Sequence, residues 1–572
     1  MSSHQKVTYI GKVDYRNKEL TFGIKEQDRM KHTYVIGKTG MGKSSLLENL
    51  AIQDMQNGEG VCFIDPHGGT AEKLLDFVPE NRIKDVIYFA PFDDDHPIGL
   101  NVLEKVESSK RHLVANGLMA TFKKIWKDAW SARMEYILNN ILLALLESDG
   151  QTLLGVNRML IDKEYRKYIV SNVQDPTVKD FWVNEYANYT ERFAQEAAPA
   201  IQNKVGQFFG NPLVRNIIGQ TRTSFNMREV MDQKKILIVN LSKGKVGEGN
   251  VNLIGSLLIT KIFLAAMSRA DVGPYKLEEL PPFYLYVDEF QNFANESFAD
   301  ILSEARKYNL ALTIAHQYVE QMTDEVKAAV FGNVGTMVAF RVGATDAEIF
   351  EKEFAPYFTA DDIVNLSAYQ IYLRLMIDNV GSKPFSAKTL TPIVKPAQTY
   401  SSEIIAYSRK TYGKSMIEVA DEINNFYQMY KGEPKADKKP FISNGFSEQR
   451  DYRKKEFNIK VQEHKEEKKE EKREEKKEER RDFQNQNTRD NNNRREDNFQ
   501  REPKKEEYKK DKVLFDEKPA MSLKEALAKA ISEKDKTEIP SKELIKGDKQ
   551  EEEKKRKTQE IPEDVLKDLI GE

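Results

Sequence analysis

The sequence predicts an α/β fold with a mostly parallel central sheet, an inserted all-α domain and a charged C-terminal tail. Three observations carry this expectation. First, apolar runs of strand length at 33–36, 61–64 and 86–89 alternate with helical stretches at 44–55 and 71–77. Near-continuous apolar strands alternating with helices mark a parallel sheet covered on both faces. Second, the alternation stops after about residue 102. Residues 110–147 show helical periodicity through Trp126, Trp130, Tyr136, Ile137, Ile141, Leu142 and Leu145, and no strand-like run intervenes before Lys235. Third, the alternation resumes with ILIVNLS (236–242), a helix over 250–268, FYLYVDE (283–289), a helix over 296–307, LALTIA (310–315), GTMVAFRV (335–342) and YQIYLRLMID (369–378). The sheet is therefore interrupted once.

At 572 residues the chain exceeds one compact domain. Two short alternating runs within 6–24 predict a small hairpin. The expected organisation is an N-terminal β-hairpin segment (1–30), an α/β domain (31–102 and 233–395), an inserted all-α domain (103–232), closing helices (396–432) and a tail (433–572). More than half of the tail is charged, against about a quarter of residues 1–432. So little apolar surface cannot offset the entropy of ordering it.

Net charge is −3 with both signs plentiful, which excludes a uniformly basic nucleic-acid glove but not a ring with one basic channel. The single cysteine, Cys62, excludes an internal disulfide and any cysteine-built zinc or iron–sulfur site. The first twelve residues show no apolar signal region. The longest apolar stretch, 253–267, is interrupted by Lys261 and reads as too short to cross a bilayer, so no transmembrane segment is expected. Cytoplasmic placement follows as the expectation, with recruitment to a membrane through partners.

In the tail, residues 464–481 repeat Glu and Lys/Arg with period four, the pattern of a solvated single helix without the apolar heptads of a coiled coil. An Asn/Gln-rich stretch follows and reads as disordered. Residues 522–531 open with a capping-box pattern, Ser522 with Glu525, and 561–570 open near Pro562. Both carry short apolar stripes and read as docking helices for a partner's groove.

The chemistry concentrates after the first parallel strand. GKTGMGKS supplies Gly37, Lys38, Thr39, Gly40, Met41, Gly42, Lys43 and Ser44, with Ser45 opening a helix. This is the full phosphate-loop pattern between a strand and a helix. Its glycines turn backbone N–H groups toward phosphate, and the helix N-terminus adds a positive dipole end. Lys43 would bridge β- and γ-oxygens, and Ser44 would hold Mg²⁺. FYLYVDE is the apolar strand ending in two acids that such a loop requires. Asp288 would hold the Mg²⁺ shell and Glu289 would act as general base to the attacking water. A base beside water favours hydrolysis, so the chain reads as a Mg²⁺-dependent ATPase.

Gln317 ends LALTIAHQ, one strand on from the acids, and would reach the γ-phosphate or the lytic water; His316 reads as structural. Arg306, at a helix end on the connection between strands, is a candidate arginine finger acting across a subunit boundary, with Arg341 a second candidate. Asp65 and Gly68 in IDPHGG fall on the carboxyl edge where α/β ligands sit, in a role or in an ordinary turn. Lys243 and Lys245, among glycines in LSKGKVGEG, are candidates for DNA-backbone contact. Cys62 lies inside a strand and reads as a core thiol.

The run from Lys31-His32-Thr33-Tyr34-Val35-Ile36 into GKTGMGKS, followed by IDPHGG, a helical insertion, NLSKG, VDEFQNF and AHQ, resembles the HerA/FtsK-type P-loop DNA translocase superfamily. It is most similar to the coupling ATPases of type IV secretion and conjugation. The resemblance covers roughly residues 1–430. It implies a RecA-like motor assembling as a homohexameric ring that moves DNA through a central channel, with ATP and Mg²⁺ as cofactors. It also implies nucleotide contacts from Lys43 and Ser44, Mg²⁺ and water roles for Asp288 and Glu289, a γ-phosphate sensor at Gln317 and a finger at Arg306. Lys31 stands where the family often has Arg, which weakens a bidentate phosphate role there. Coupling proteins also commonly begin with membrane helices, so attachment to a secretion channel would run through partners or the tail. The competing readings are a secretion or pilus-assembly ATPase acting on protein, and an adaptor using nucleotide as a switch.

Overall fold

The computed structural model describes residues 6–429 except 16–17, 105, 127–129 and 190, with the side chains of Tyr15 and 191–197 also left aside. The expected tail helix at 464–481 and docking helices at 522–531 and 561–570 lie outside the described residues. The strands are β1 (Val7–Tyr15), β2 (Lys18–Lys25), β3 (Thr33–Ile36), β4 (Gly60–Asp65), β5 (Val86–Phe89), β6 (Ile236–Asn240), β7 (Phe283–Val287), β8 (Leu310–His316), β9 (Thr336–Ala339), β10 (Gln370–Arg374), β11 (Met376–Ile377), β12 (Val380–Gly381) and β13 (Phe385–Thr389).

Eleven of them form one sheet in the order β2-β1-β13-β10-β9-β3-β8-β7-β4-β6-β5. From β9 to β5 every pairing is parallel. Every residue of β3 to β9 that lies in a strand is buried, as two covered faces require. On one face Val35, Phe63, Ile238 and Tyr286 pack with the helices Lys43–Gln56 and Gly69–Leu75; on the other Tyr34, Ile64, Val239 and Val287 pack with the helical block.

The hairpin expected at 6–24 is β1 against β2, with Val7 opposite Lys25. It is no separate segment in the sheet: β1 pairs antiparallel with β13, extending the sheet through four antiparallel strands beyond β9. Gly11 allows this, because a Cβ there would fall 2.4 Å from the Lys388 carbonyl oxygen.

Between β5 and β6 the described residues form helices and turns, among them Arg111–Ile125, Ala132–Leu146, Lys163–Asn172, Glu191–Gly210 and Met227–Asp232. The helices Ser401–Tyr412 and Met416–Gln428 follow the sheet. Ser408 Oγ accepts from Tyr88 N on β5 at 2.9 Å, and Glu422 accepts from Thr221 N in the helical block at 2.7 Å.

The apolar stretch read as 253–267 is part of a longer helix, Glu248–Ser268, which with Arg269–Val272 is long and apolar enough to cross a membrane by length and composition. Here it lies in the core, with Val251, Leu253, Ile254, Leu257, Leu258 and Ile262 buried. Lys261 donates to the Asn101 carbonyl at 2.6 Å, and burial lowers its amine to a pKa of about 8.

At the amino edge of the sheet Arg29 is buried and bidentate on Asp54, with both bonds at 2.7 Å, and it also donates to Tyr286 OH and Thr8 Oγ1. Asp54 belongs to the phosphate-loop helix and Tyr286 to β7, so one buried, paired cation ties together the elements that carry the site. His32, at φ 62°, accepts from Leu312 N through Nδ1 and donates from Nε2 to the Leu302 carbonyl. Burial lowers its pKa to about 4. An unfolded chain binds that proton near pH 6.5, so His32 contributes stability that is present above pH 6.5 and is lost as pH falls toward 4. By pH 5 the loss from His32 alone is about 2 kcal/mol. Thermal unfolding from pH 7.5 to 5 should show a falling midpoint that flattens partly in His32→Asn; an equal slope in both proteins would contradict the assignment.

Candidate nucleotide site at the carboxyl edge of the sheet

β3 ends at Ile36 and the chain turns through Gly37–Gly42 into the helix Lys43–Gln56. Gly37 N donates to the His316 carbonyl at 3.3 Å and Lys38 N to the Arg341 carbonyl at 2.8 Å, so the end of β8 and the segment after β9 both hold the loop. Gly42 sits at φ 116°, and a Cβ there would come 2.9 Å from the Tyr369 ring. Only glycine meets both demands without strain.

Lys43 Nζ donates to the Gly37 carbonyl at 2.7 Å and the Lys38 carbonyl at 3.3 Å. Burial lowers its pKa, opposed by the nearby charges of Glu289 and Asp288. Ser44 Oγ donates to Asp288 Oδ2 at 2.7 Å. Burial raises the Asp288 pKa; the Ser44 bond opposes this, and the charges of Glu289 and Asp65 add to it. A crowded, buried acid beside a hydroxyl is a donor set suited to a divalent cation.

Glu289 follows in the left-handed region at φ 49°, ψ 47°. Its N–H donates to Asp288 Oδ1 at 2.9 Å. Gln317 Nε2 donates to Glu289 Oε1 at 2.6 Å, Gln291 Nε2 donates to Glu289 Oε2, and Thr39 Oγ1 donates to Gln317 Oε1 at 3.3 Å. An unbroken run of side-chain bonds thus connects the phosphate loop through Gln317 to Glu289. Because β8 lies between β3 and β7, Gln317 is placed between loop and acid.

His316 is buried against Tyr34 and Phe290, its Nδ1 is 3.2 Å from Tyr34 OH, and burial lowers its pKa to about 3. Asp65 accepts from His67 N at 2.8 Å and Ala71 N at 3.0 Å, the turn into the helix Gly69–Leu75. Lys243 and Lys245 lie on a single helical turn, Lys243–Val246, past β6. Lys243 pairs with Glu248 at 2.9 Å, and Lys245 lies 3.8 Å from Glu72 and over the Phe92 ring. Arg306 is exposed on the short turn Ala305–Tyr308 before β8, at the amino edge. The seven residues of β8 put about 20 Å between that turn and the phosphate-loop edge. Arg341 is partly buried beside the loop that its carbonyl supports. Cys62 is buried within β4, and burial raises its thiol pKa.

Sequence reasoning missed Gln291 and Tyr369. Gln291 was visible as the polar residue two places after the second acid; no local pattern marked Tyr369.

A family model described as the type IV secretion-system coupling protein DNA-binding domain matches residues 21–375. The type 4 coupling protein DotL of Legionella pneumophila is 20% identical over 397 residues, covering 59% of this chain and 50% of DotL. The chain thus spans about half the length of the curated relative it matches. Among solved structures, the plasmid coupling protein TrwB in complex with ADP and Mg²⁺ is 14% identical with a TM-score of 0.49, covering 70% of this chain and 98% of that one. VirB4 of Thermoanaerobacter pseudethanolicus is 15% identical with a TM-score of 0.43, covering 68% and 98%. The matched family segment runs through most of the sheet, both halves of the candidate site and the helical block between them. By that match the chain belongs to the type IV secretion-system coupling protein DNA-binding domain family.

Proposed function

We propose that the chain is a DNA-translocating ATPase of a conjugation, secretion or uptake machine, hydrolysing ATP at the carboxyl edge of its sheet. The supporting observation is the bonded run Thr39–Gln317–Glu289 beside Ser44–Asp288, which joins phosphate cradle, base and metal-ligand candidates in one place. Ser44 and Asp288 fit a Mg²⁺ ion, which would neutralise charge on the phosphates. Lys43 exchanges its loop carbonyls for phosphate oxygens. Glu289 accepts the proton of the attacking water, whose oxygen bonds to the γ-phosphorus as the bond to the β-phosphate bridging oxygen breaks. Gln317 orients that water.

The family's description as a DNA-binding domain favours DNA as the cargo over polypeptide. Lys243 and Lys245 are paired with this chain's own acids, and DNA phosphates would compete for them. Arg306 faces away from its own subunit's site, so a finger role requires a neighbouring copy, as in the homohexameric ring proposed here. Mixed Lys43→Ala and Arg306→Ala subunits should then recover turnover; no recovery would leave Arg306 as a surface charge. The tail, 433–572, is proposed to recruit the motor to secretion-machine partners at the membrane. ATP turnover by the full chain should rise with duplex or single-stranded DNA and not with an unfolded polypeptide. Equal turnover with and without any nucleic acid would overturn the proposal; stimulation by polypeptide alone would favour a protein-moving ATPase.

A further inference from the structure

We infer that Lys124 is a positioning residue through which the helical block between β5 and β6 fixes the loop that carries Glu289. The inference rests on the hydrolytic reading of the site. Lys124 ends the helix Arg111–Ile125, and its Nζ donates to two carbonyls of the turn after the acid pair, those of Gln291 and, at 2.5 Å, Ala294. Backbone bonds inside that turn use the carbonyls of Glu289 and Phe290, so the helix takes acceptors that the turn itself does not. One turn earlier on the same helix, Thr121 Oγ1 accepts from Asn295 Nδ2 at 3.3 Å. Asn295 in turn caps the helix Glu296–Glu304 by accepting from Phe298 N.

The connection to chemistry is short. Gln291, whose carbonyl Lys124 binds, donates its own side-chain amide to Glu289 Oε2. Glu289 sits at φ 49°, a conformation that a residue with a side chain keeps only where its surroundings impose it. The Phe293 ring also occupies the space beside Gly255 on the helix Glu248–Ser268, where a Cβ would fall 2.2 Å from the ring. The turn is therefore held twice, by a cation of the helical block and by an aromatic plug into a core helix. A displacement of the helix Arg111–Ile125 relative to the sheet is passed through Lys124 to the Gln291 carbonyl, and from there to the Glu289 carboxylate. The block thereby controls whether the base is in register with the phosphate loop.

Lys124→Met and Lys124→Arg in the full chain test this. Lys124→Met should lower kcat for ATP roughly ten- to hundredfold, as expected for a small misplacement of a base, while KM stays within about twofold. Lys124→Arg, which keeps a cation at the turn, should recover most of the loss. Hydrogen exchange of the amides at 290–295 should quicken in Lys124→Met and not in Lys124→Arg. Wild-type kcat in Lys124→Met, a loss confined to KM, or unchanged exchange at 290–295 would each overturn the inference. If wild-type protein shows no turnover at all, the hydrolytic reading fails and the exchange comparison still judges the clamp. If Lys124→Met does not fold, Thr121→Val decides, with the same direction and a smaller effect expected, and no effect counting against.

Discussion

Glu289→Gln is expected to abolish ATP turnover while leaving ATP bound. The amide keeps the volume and the left-handed backbone of the acid, and its oxygen can still accept from Gln317 or Gln291, the two donors that hold Glu289 now. It cannot take a proton from water. Removing a general base costs roughly 10²- to 10⁴-fold in rate, and no other carboxylate can replace it without losing its own place. Asp288 is committed to Ser44 and to the Glu289 N–H, and Asp65 to the turn into the helix Gly69–Leu75. Steady-state hydrolysis measured beside equilibrium ATP binding separates the two effects. A kcat within threefold of wild type would remove Glu289 from the chemistry.

Lys43→Ala should fail at the earlier step, binding. Its ammonium is the cation that the loop wraps, donating to the carbonyls of Gly37 and Lys38 and lying close enough to Glu289 and Asp288 for their charges to raise its pKa against burial. Truncation removes charge-assisted bonds to phosphate worth about 1.5–3 kcal/mol each, so triphosphate affinity should drop at least tenfold and turnover should vanish with it. It also leaves two acids facing each other with less opposing charge, which pushes the already raised Asp288 pKa further up. Calorimetric titration with ATP and Mg²⁺ checks this. Affinity unchanged in Lys43→Ala would mean that nucleotide is held somewhere other than the loop.

Much of the site was legible because its parts are contiguous words in the chain. A strand, a glycine turn and a helix appear together in 33–56, an apolar strand and two acids in 283–289, and Gln317 follows directly on β8. Local periodicity also set out the parallel strands and the helical block. What escaped was pairing at a distance. That β8 lies between β3 and β7, and so delivers Gln317 between loop and base, depends on which apolar faces meet across the sheet. The closure of β1 on β13 joins residues more than 370 positions apart, and β-pairing at such separation leaves no local trace. The helix at 250–268 was legible to within two residues of Glu248–Ser268, but its apolar length was read short, because Glu248, Asn250 and Asn252 shorten the apolar run without shortening the helix. Lys124 lies 167 residues before the carbonyl it binds, and no local pattern marks that pairing.

The most direct measurement is a structure of the Glu289→Gln full chain with ATP and Mg²⁺. One triphosphate should lie in the Gly37–Ser45 loop with Lys43 on its outer phosphates, Mg²⁺ between Ser44 and Asp288, and Gln317 and residue 289 facing the terminal phosphorus. Nucleotide bound away from that loop, or a terminal phosphate out of reach of residue 289, would contradict it.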